Sequence, residues 1–519
     1  MIEKSFERLT QANHNMLESK NLYFAGFSFA NIRYFTKCFP QYTDDICGIF
    51  AVLDIDERTP LSTSIEGKNF NIRPLSEVIS LNADEDVLII MYEYEKEAYE
   101  KIHQIRKDAH IPVYWFADEA TELELDYREK FSDYADEDII LFKSSSRQYV
   151  YGEDFNDNAK ALFEYMLDSG YNRRWKLVWL VFDPACKDYD VWKKYENVEF
   201  IGAEDNKSGD KEKRELYYRN LCLAKYAFVT DDETFFRRRR SDQILVQLWH
   251  GDGIKARTRF RVMEKRFEYM VCTSRFFADV DYKDFGLRYD QMLPCGLPKD
   301  DWLFAVNDNV QLFAEELKGY EHYVLWAPTF RKVVEGLEIL NENVDINETG
   351  LPMLRTWADC VHLNNKLKAL NCLLVIKLHP VANLSIHAVK DFSNIRLMTN
   401  QELYSKGLHI NQIMSLFDGF ISDYSSAVTS YMVLDNPMAI TLDDIDEYDN
   451  SRGFVLTPVR DYLPGDELYI AEDMENFIEE VCLGKDTSAD KRHKVSSLMI
   501  DHRDGRNSER LLDMLGIVK

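Results

Sequence analysis

The chain runs to 519 residues, 45% hydrophobic and 13% aromatic, enough apolar material for about three buried cores; a small disulfide scaffold and a disordered chain are both excluded. Sixty-three Lys and Arg stand against 90 Asp and Glu, a formal charge of −27, and such a field repels nucleic acid and anionic lipid except where basic residues gather. No nucleic-acid partner is expected.

Nine cysteines are scattered with no close pair of zinc-knuckle or redox spacing, so they read as reduced core thiols. The opening twenty residues lack the apolar core of a secretory signal, and no apolar run approaches the ~20 residues of a membrane-spanning helix. A cytoplasmic protein is expected, with any membrane contact peripheral.

Apolar runs of strand length alternate with amphipathic stretches in three blocks, the pattern of parallel sheets covered by helices. After a leading helix, strands are predicted at 21–26, 47–54, 86–92 and 111–116, a small Rossmann-like accessory domain over 1–135. Gly26 stands where a dinucleotide fold turns into its first helix, but the full G-x-G-x-x-G fingerprint is absent, so a structural or partner-binding module is expected rather than an NAD site. The acidic stretch 118–138 reads as a connector. A second domain, 145–300, is expected around strands at 176–182, 198–202, 226–231, 244–249 and 268–274. A third, 301–519, has strands at 322–328, 373–378, 419–423 and 437–441 and closes on helices at 472–484 and 505–516. The fold class expected is α/β, with two Rossmann-like halves facing one another.

Four motifs sit where a predicted strand ends, and in open α/β sheets ligands bind in the crevice beyond the carboxyl ends of the strands. In ILVQLWHGDGIK (244–255) a strand runs into His250, flanked by Gly251 and Gly253, which let backbone N–H groups approach a ligand. His250 is the candidate general base, since an imidazole takes a proton from a hydroxyl near neutral pH; a structural histidine at a turn is the plainer alternative. In VIKLHP (375–380), His379 follows a second apolar strand, and of the 11 histidines these two alone follow such runs. His379 is suited to stabilising a departing phosphate, whereas His322 and His362 read as structural. In GFISDYSS (419–426), a strand leads into Asp423, Tyr424, Ser425 and Ser426 at a helix start. That is either a phosphate cradle or an ordinary serine N-cap. In VLWAPTFR (324–331), Thr329 and Arg331 are placed to hydrogen-bond an anion. Basic residues gather beside the His250 turn (Lys255, Arg257, Arg259, Arg261, Lys265, Arg266) and in the run Arg237 to Arg240, an anion-attracting patch or a solvated face. No close His/Asp/Glu set has metal-ligand spacing, so no metal and no obligatory cofactor are expected.

Taken together, from about residue 150 to the end, these motifs resemble the CDP-glycerol glycerophosphotransferase family, the polymerases and primases of teichoic acid synthesis. The resemblance rests on WHGDGIK, APTFR, His379 with Pro380, DYSS, DIDEYDNSRGF (444–454) and DHRDGRNSERLLDML (501–515), in order and at matching spacing. It implies a GT-B fold and transfer of a phosphopolyol from CDP-glycerol or CDP-ribitol to a hydroxyl of a polymeric or lipid-linked acceptor, such as a wall teichoic acid or capsule, with CMP released. His250 would then be the base and His379 would bind the pyrophosphate and assist CMP departure. Thr329, Arg331, Asp423, Ser425 and Ser426 would hold the donor phosphates, and Gly251, Lys255 and Arg257 would line the acceptor side. Two imidazoles on opposing lobes are thus expected to converge on a cytidine diphosphate ester. The sequence departs from the pattern at Asp252-Gly253, expected to bring negative charge near the acceptor path and loosen the turn, at Ser430 in place of an acidic residue, and at Lys299 in place of Arg. The other readings are a GT-B glycosyltransferase using a nucleotide sugar and a non-catalytic nucleotide- or polymer-binding protein on the same scaffold.

Overall fold

A computed structural model of the chain describes residues 6–26, 29–51, 62–65, 68–91, 101–102, 111–116, 119–134, 137–144, 154–230, 242–256, 267–285, 287–328, 348–377, 392–451 and 453–519. The described strands form three sheets. The first contains β1 (Glu7–Arg8), β2 (Asn21–Ala25), β3 (Ile46–Ala51), β4 (Ser62–Ile65), β5 (Lys68–Pro74), β6 (Asp86–Met91) and β7 (Val113–Phe116), in the order β1-β7-β6-β2-β3-β5-β4. Every pairing in it is parallel except β4 with β5. Strands covered on both faces read as unbroken apolar runs, and DVLIIM of β6 is buried at every position. Among the described residues ahead of β2, the expected leading α-helix is replaced by Glu7–Arg8, which pairs with β7 as a short edge strand, and by a 3-10 turn at His14–Leu17.

The second sheet contains β8 (Glu137–Lys143), β9 (Lys176–Val181), β10 (Val198–Gly202), β11 (Ala224–Val229), β12 (Ile244–Gln247), β13 (Tyr269–Val271) and β14 (Met292–Leu293), all parallel, in the order β10-β9-β8-β11-β12-β13-β14. The stretch expected to be a connector is structured. Residues Glu119–Phe131 form a helix whose Tyr127 and Phe131, one turn apart, enter the core beside Tyr217, Tyr218 and Leu221. Tyr127 stacks on Tyr218 with ring centroids 4.6 Å apart. The chain then runs directly into β8 at the centre of the sheet, between β9 and β11. Acidic residues around two aromatic anchors masked that helix, and four apolar residues behind Glu137-Asp138 were too short a run to stand out.

The third sheet is also wholly parallel: β15 (His322–Ala327), β16 (Cys372–Lys377), β17 (Ile395–Met398), β18 (Gly419–Ser422), β19 (Met438–Thr441) and β20 (Asp466–Leu468), in the order β17-β16-β15-β18-β19-β20. Strand order therefore reverses between β15 and β18, and such a switch point opens a crevice at the carboxyl ends of the two strands. Ser422 at the end of β18 donates its hydroxyl to the Ala327 carbonyl at the end of β15 (2.7 Å). The last helix, Asn507–Met514, leaves the third sheet and returns to the second. Its Leu511 and Leu512, with Ile517 beyond it, pack in the same core as Phe142, Phe163 and Trp179, and the Trp175 indole donates to the Val518 carbonyl (2.8 Å). Cys222, Cys272, Cys295, Cys360 and Cys372 are buried as expected of core thiols, but Cys47 is exposed.

Leu512 is fully buried while Met514, two residues on, is 51% exposed. Leu512→Ala is expected to lose about 2–5 kcal/mol through the cavity it leaves, and Met514→Ala to stay within about 0.5 kcal/mol. Urea unfolding followed by tryptophan fluorescence, which Trp175 and Trp179 report from that core, checks both.

Candidate active site

The histidine turn begins where β12 ends. Trp249 adopts a left-handed backbone conformation (φ 55°), which a bulky residue holds only when its surroundings over-determine it. Its N–H donates to the Gln247 side chain (2.9 Å), and its buried indole meets Phe285 edge-on at 5.0 Å. Fully buried Asn158, on the helix Asp157–Asp168, donates its amide to the carbonyls of Trp249 (2.8 Å) and Leu248 (3.3 Å) and accepts from the Lys299 N–H (3.0 Å). The Lys299 ammonium donates to the His250 carbonyl (2.5 Å) and pairs with Asp157 (3.1 Å). The backbone around His250 is thus tied down while the residue itself is exposed, its ring 4.0 Å from that of Trp249.

Gly251 (φ 139°) is where the second and third sheets touch. A Cβ there would lie 2.6 Å from the Ser426 hydroxyl, and one at Gly253 would lie 3.4 Å from the Ser426 Cα. Any side chain at 251 would separate the two turns, so the glycine is a requirement of close approach as well as of backbone shape. Beyond it, Ile254–Ala256 runs antiparallel to residues 453–455. Lys255 bridges Phe454, the Ala256 N–H donates to the Gly453 carbonyl (3.0 Å) and the Val455 N–H to the Ile254 carbonyl (2.9 Å). The half-buried Lys255 ammonium lies 6.0 Å from the Tyr448 ring centre.

Asp252 does not behave as its sequence position suggested. Its carboxylate is fully buried and accepts from the Thr273 N–H just past β13 (2.5 Å). It staples the turn to the neighbouring strand, so it neither loosens the turn nor brings its charge toward the acceptor path.

On the opposite side, β18 delivers Asp423 and Tyr424, both buried, then half-buried Ser425 and Ser426. The Tyr424 hydroxyl donates to Asp444 (3.2 Å), and its ring packs on Tyr448 (4.7 Å) and Phe454 (5.0 Å), so the DIDEY and RGF segments brace DYSS. Ser426 stands at the N-cap of Ala427–Tyr431 but makes no side-chain cap bond. That helix has five residues, too short for much of a macrodipole, so what this turn has to offer a ligand is its hydroxyls and N–H groups.

Thr329, Arg331, His379 and Arg257, with the remaining basic residues 259–266 and 237–240, lie outside the described residues. The strands that lead to Thr329 and His379 are adjacent: β15 and β16 pair in register with Trp326 opposite Ile376. His322 and His362 stand in pairs with Asp418 (3.8 Å) and Glu475 (2.6 Å), as structural histidines do. Among the described residues, no group of three or more His, Cys, Asp or Glu is placed to hold a metal ion.

Sequence reasoning singled out the segment Pro298–Phe304 only for its departure at Lys299, yet it joins the two halves. Asp300 is buried, accepts from the Asn411 amide (2.8 Å) and hydrogen-bonds Ser430. Ser430, where the family resemblance implies an acid, therefore meets a carboxyl supplied from the facing side. Burial pushes the Asp300 carboxyl up to about 7 against the opposing pull of Lys299. Asp301 accepts from the Asn507 and Ser508 N–H groups (2.7 and 2.8 Å), and the Trp302 indole donates to Glu164 (2.9 Å). Burial, then the ammoniums of Lys299, Lys377 and Lys160, hold His409 well below the ordinary imidazole range. The Pro-Lys-Asp-Asp run was the available signal.

The sequence profile of the family described as CDP-Glycerol:Poly(glycerophosphate) glycerophosphotransferase matches residues 126–516. The chain is 26% identical over 403 residues to the teichoic acid ribitol-phosphate polymerase TarK of Staphylococcus aureus, covering 72% of this chain and 69% of that protein. It is 23% identical over 299 residues to a teichoic acid ribitol-phosphate primase of Bacillus spizizenii, covering 53% of this chain and 70% of the primase. It is 24% identical over 315 residues to a teichoic acid glycerol-phosphate primase of Bacillus subtilis, covering 57% and 74%. The solved structure of the wall teichoic acid polymerase TagF superposes with a TM-score of 0.55 at 18% identity, covering 82% of this chain and 97% of that one. At that identity the likeness establishes the fold, an α/β arrangement with parallel Rossmann-like sheets.

Because the folded Asp300 carboxyl holds its proton up to about pH 7, the stability it contributes is complete below the unfolded value near 4 and is lost as pH rises from there to about 7. Asn at this position keeps a hydrogen-bonding side chain and does not titrate. Asp300→Asn is therefore expected to stabilise the protein by about 2 kcal/mol more at pH 8 than at pH 5.5, read by urea unfolding at the two pH values. An equal effect at both would remove Asp300 as the titrating group.

Proposed function

The chain belongs to the CDP-glycerol:poly(glycerophosphate) glycerophosphotransferase family and is a transferase, and we propose that it moves a glycerol-phosphate or ribitol-phosphate unit from a CDP-alcohol to a hydroxyl of a teichoic-acid-like or capsular acceptor. The observation that carries this reading is the contact of Ser426 with Gly251, which sets the DYSS turn directly against the His250 turn. His250 takes the proton of the acceptor hydroxyl as the oxygen attacks the polyol-bearing phosphorus. The bridging P–O bond breaks, and CMP leaves with the electron pair. Ser425 and Ser426, with Asp423 shaping their turn and Thr329 and Arg331 beside them, hold the phosphates. His379 steadies the departing CMP, and Lys255, Arg257 and the Gly251 backbone serve the acceptor side. Such a transfer needs positioning and charge stabilisation rather than a covalent enzyme intermediate.

No helix among the described residues is long and apolar enough to cross a membrane. A lipid-linked acceptor places the work at the cytoplasmic face of the membrane, with the protein bound peripherally and the first sheet as an accessory domain. The relatives include both ribitol-phosphate and glycerol-phosphate enzymes, so both CDP-polyols belong in the test.

Purified protein with a lipid-linked phosphopolyol acceptor is expected to release CMP from CDP-glycerol or CDP-ribitol, and to release neither UDP nor GDP from nucleotide sugars. UDP or GDP release would favour the glycosyltransferase reading, and binding without turnover the non-catalytic one. His250→Ala is expected to lower the rate at least ~100-fold with CDP-alcohol binding retained, as followed by calorimetry. Near-normal turnover by that variant would reject His250 as the base.

A further inference from the structure

We propose that Lys299 is a positioning residue for the histidine turn: its ammonium, bridging Asp157 and the His250 carbonyl, fixes the backbone that aims the imidazole. The inference deepens the functional reading above and rests on it. Lys299 is 7% exposed, and a buried ammonium is costly unless oxygen atoms replace its water. Here the Asp157 carboxylate (3.1 Å) and the His250 carbonyl (2.5 Å) replace it.

The arrangement is reciprocal. Asn158, next to Asp157, accepts from the Lys299 N–H and donates to the Leu248 and Trp249 carbonyls. Three successive carbonyls, 248 to 250, thus receive hydrogen bonds from the side chains of two residues that are themselves joined through the Lys299 backbone N–H. The backbone at both ends of this network is in the left-handed region, at Trp249 (φ 55°) and Asp157 (φ 58°). Residues in that region persist where neighbours hold them, and a charge-assisted bond to the carbonyl of the next residue is a strong hold.

Lys299 is also coupled to the facing half. Its ammonium lies 3.8 Å from where a Gly251 Cβ would stand, the position that abuts Ser426. Its neighbour Asp300 binds Asn411 and Ser430. One short segment therefore holds the histidine turn with one residue and the helix behind Ser426 with the next.

The test uses full-length protein carrying Lys299→Met, which keeps the chain's length and removes its charge, and Lys299→Arg, which keeps the charge. Lys299→Met is expected to lower kcat for CMP release by about 10- to 100-fold, the range of a sub-ångström to ångström misplacement, with KM for the CDP-alcohol within about twofold. Amide exchange across 248–253 is expected to rise about tenfold or more while β9 stays unchanged. Lys299→Arg is expected to restore kcat to within about fivefold, since a guanidinium reaches both oxygens. In a His250→Ala background, Lys299→Met is expected to add no further loss, because residues acting through one group are non-additive. Unchanged kcat with unchanged exchange overturns the proposal. So does a raised donor KM with unchanged exchange, which would make Lys299 a phosphate ligand, or faster exchange throughout the second sheet, which would make its role general folding. If the wild-type protein transfers no CDP-alcohol at all, the functional reading falls, and the exchange measurement alone still decides whether Lys299 holds the turn.

Discussion

The candidate site depends on one steric constraint: the backbone at Gly251 passes so close to Ser426 that no Cβ fits between them. Parallel sheets of this kind offer their carboxyl-end loops to a cleft, but facing loops do not by themselves make a site. Contact between the WHGDG turn and the DYSS turn turns two separate loop clusters into one wall. The antiparallel pairing of 254–256 with 453–455 extends that wall with backbone hydrogen bonds, which depend little on side-chain identity. The aromatic cluster of Tyr424, Tyr448 and Phe454 supports it from behind.

Around this contact the protein turns three carboxylates inward onto defined partners. Asp252 accepts from a backbone N–H at the end of a neighbouring strand, Asp301 from two N–H groups at the start of the last helix, and Asp300 from an amide across the interface. Burial raises both Asp300 and Asp301 despite these bonds, so desolvation outweighs the hydrogen bonds at both. For a chain of net charge −27, turning carboxylates inward onto N–H donors keeps them from repelling an anionic donor at the mouth of the cleft. Asp252 is the clearest case, because read along the chain its charge belonged at the mouth.

What was legible in the sequence was local. The ends of β12 and β18 stood out because an apolar run stops abruptly at residues with a backbone or hydrogen-bonding role, glycine in one case and serine in the other. Most interior strands of the three sheets stood out because burial on both faces leaves unbroken apolar runs; β8 is an exception. Edge strands such as β17 and β20 did not, since each is short and carries half-buried charged residues (Arg396; Asp466 and Glu467). The helix at 119–131 was hidden because Tyr127 and Phe131 are embedded among charged residues, and its burial is decided by Tyr217 and Tyr218 some ninety positions on. Lys299 was noticed only as a substitution. Its role comes from a carbonyl 49 positions away and a side chain 141 positions away, distances at which periodicity and capping rules carry no information.

The return of the last helix to the second sheet bears on how the protein is made. The core around Phe142, Phe163 and Trp179 lacks Leu511, Leu512 and Ile517 until more than 350 further residues beyond β8 have been synthesised. The third sheet, from β15 to β20, is in effect an insertion within the second folding unit. Among the described residues, the core of the first sheet draws on positions up to 116, and it is free to close while the ribosome is still translating the rest. The second must wait with part of its interior open while the third assembles, so the nascent chain is exposed to aggregation and chaperone capture until residues 507–517 emerge.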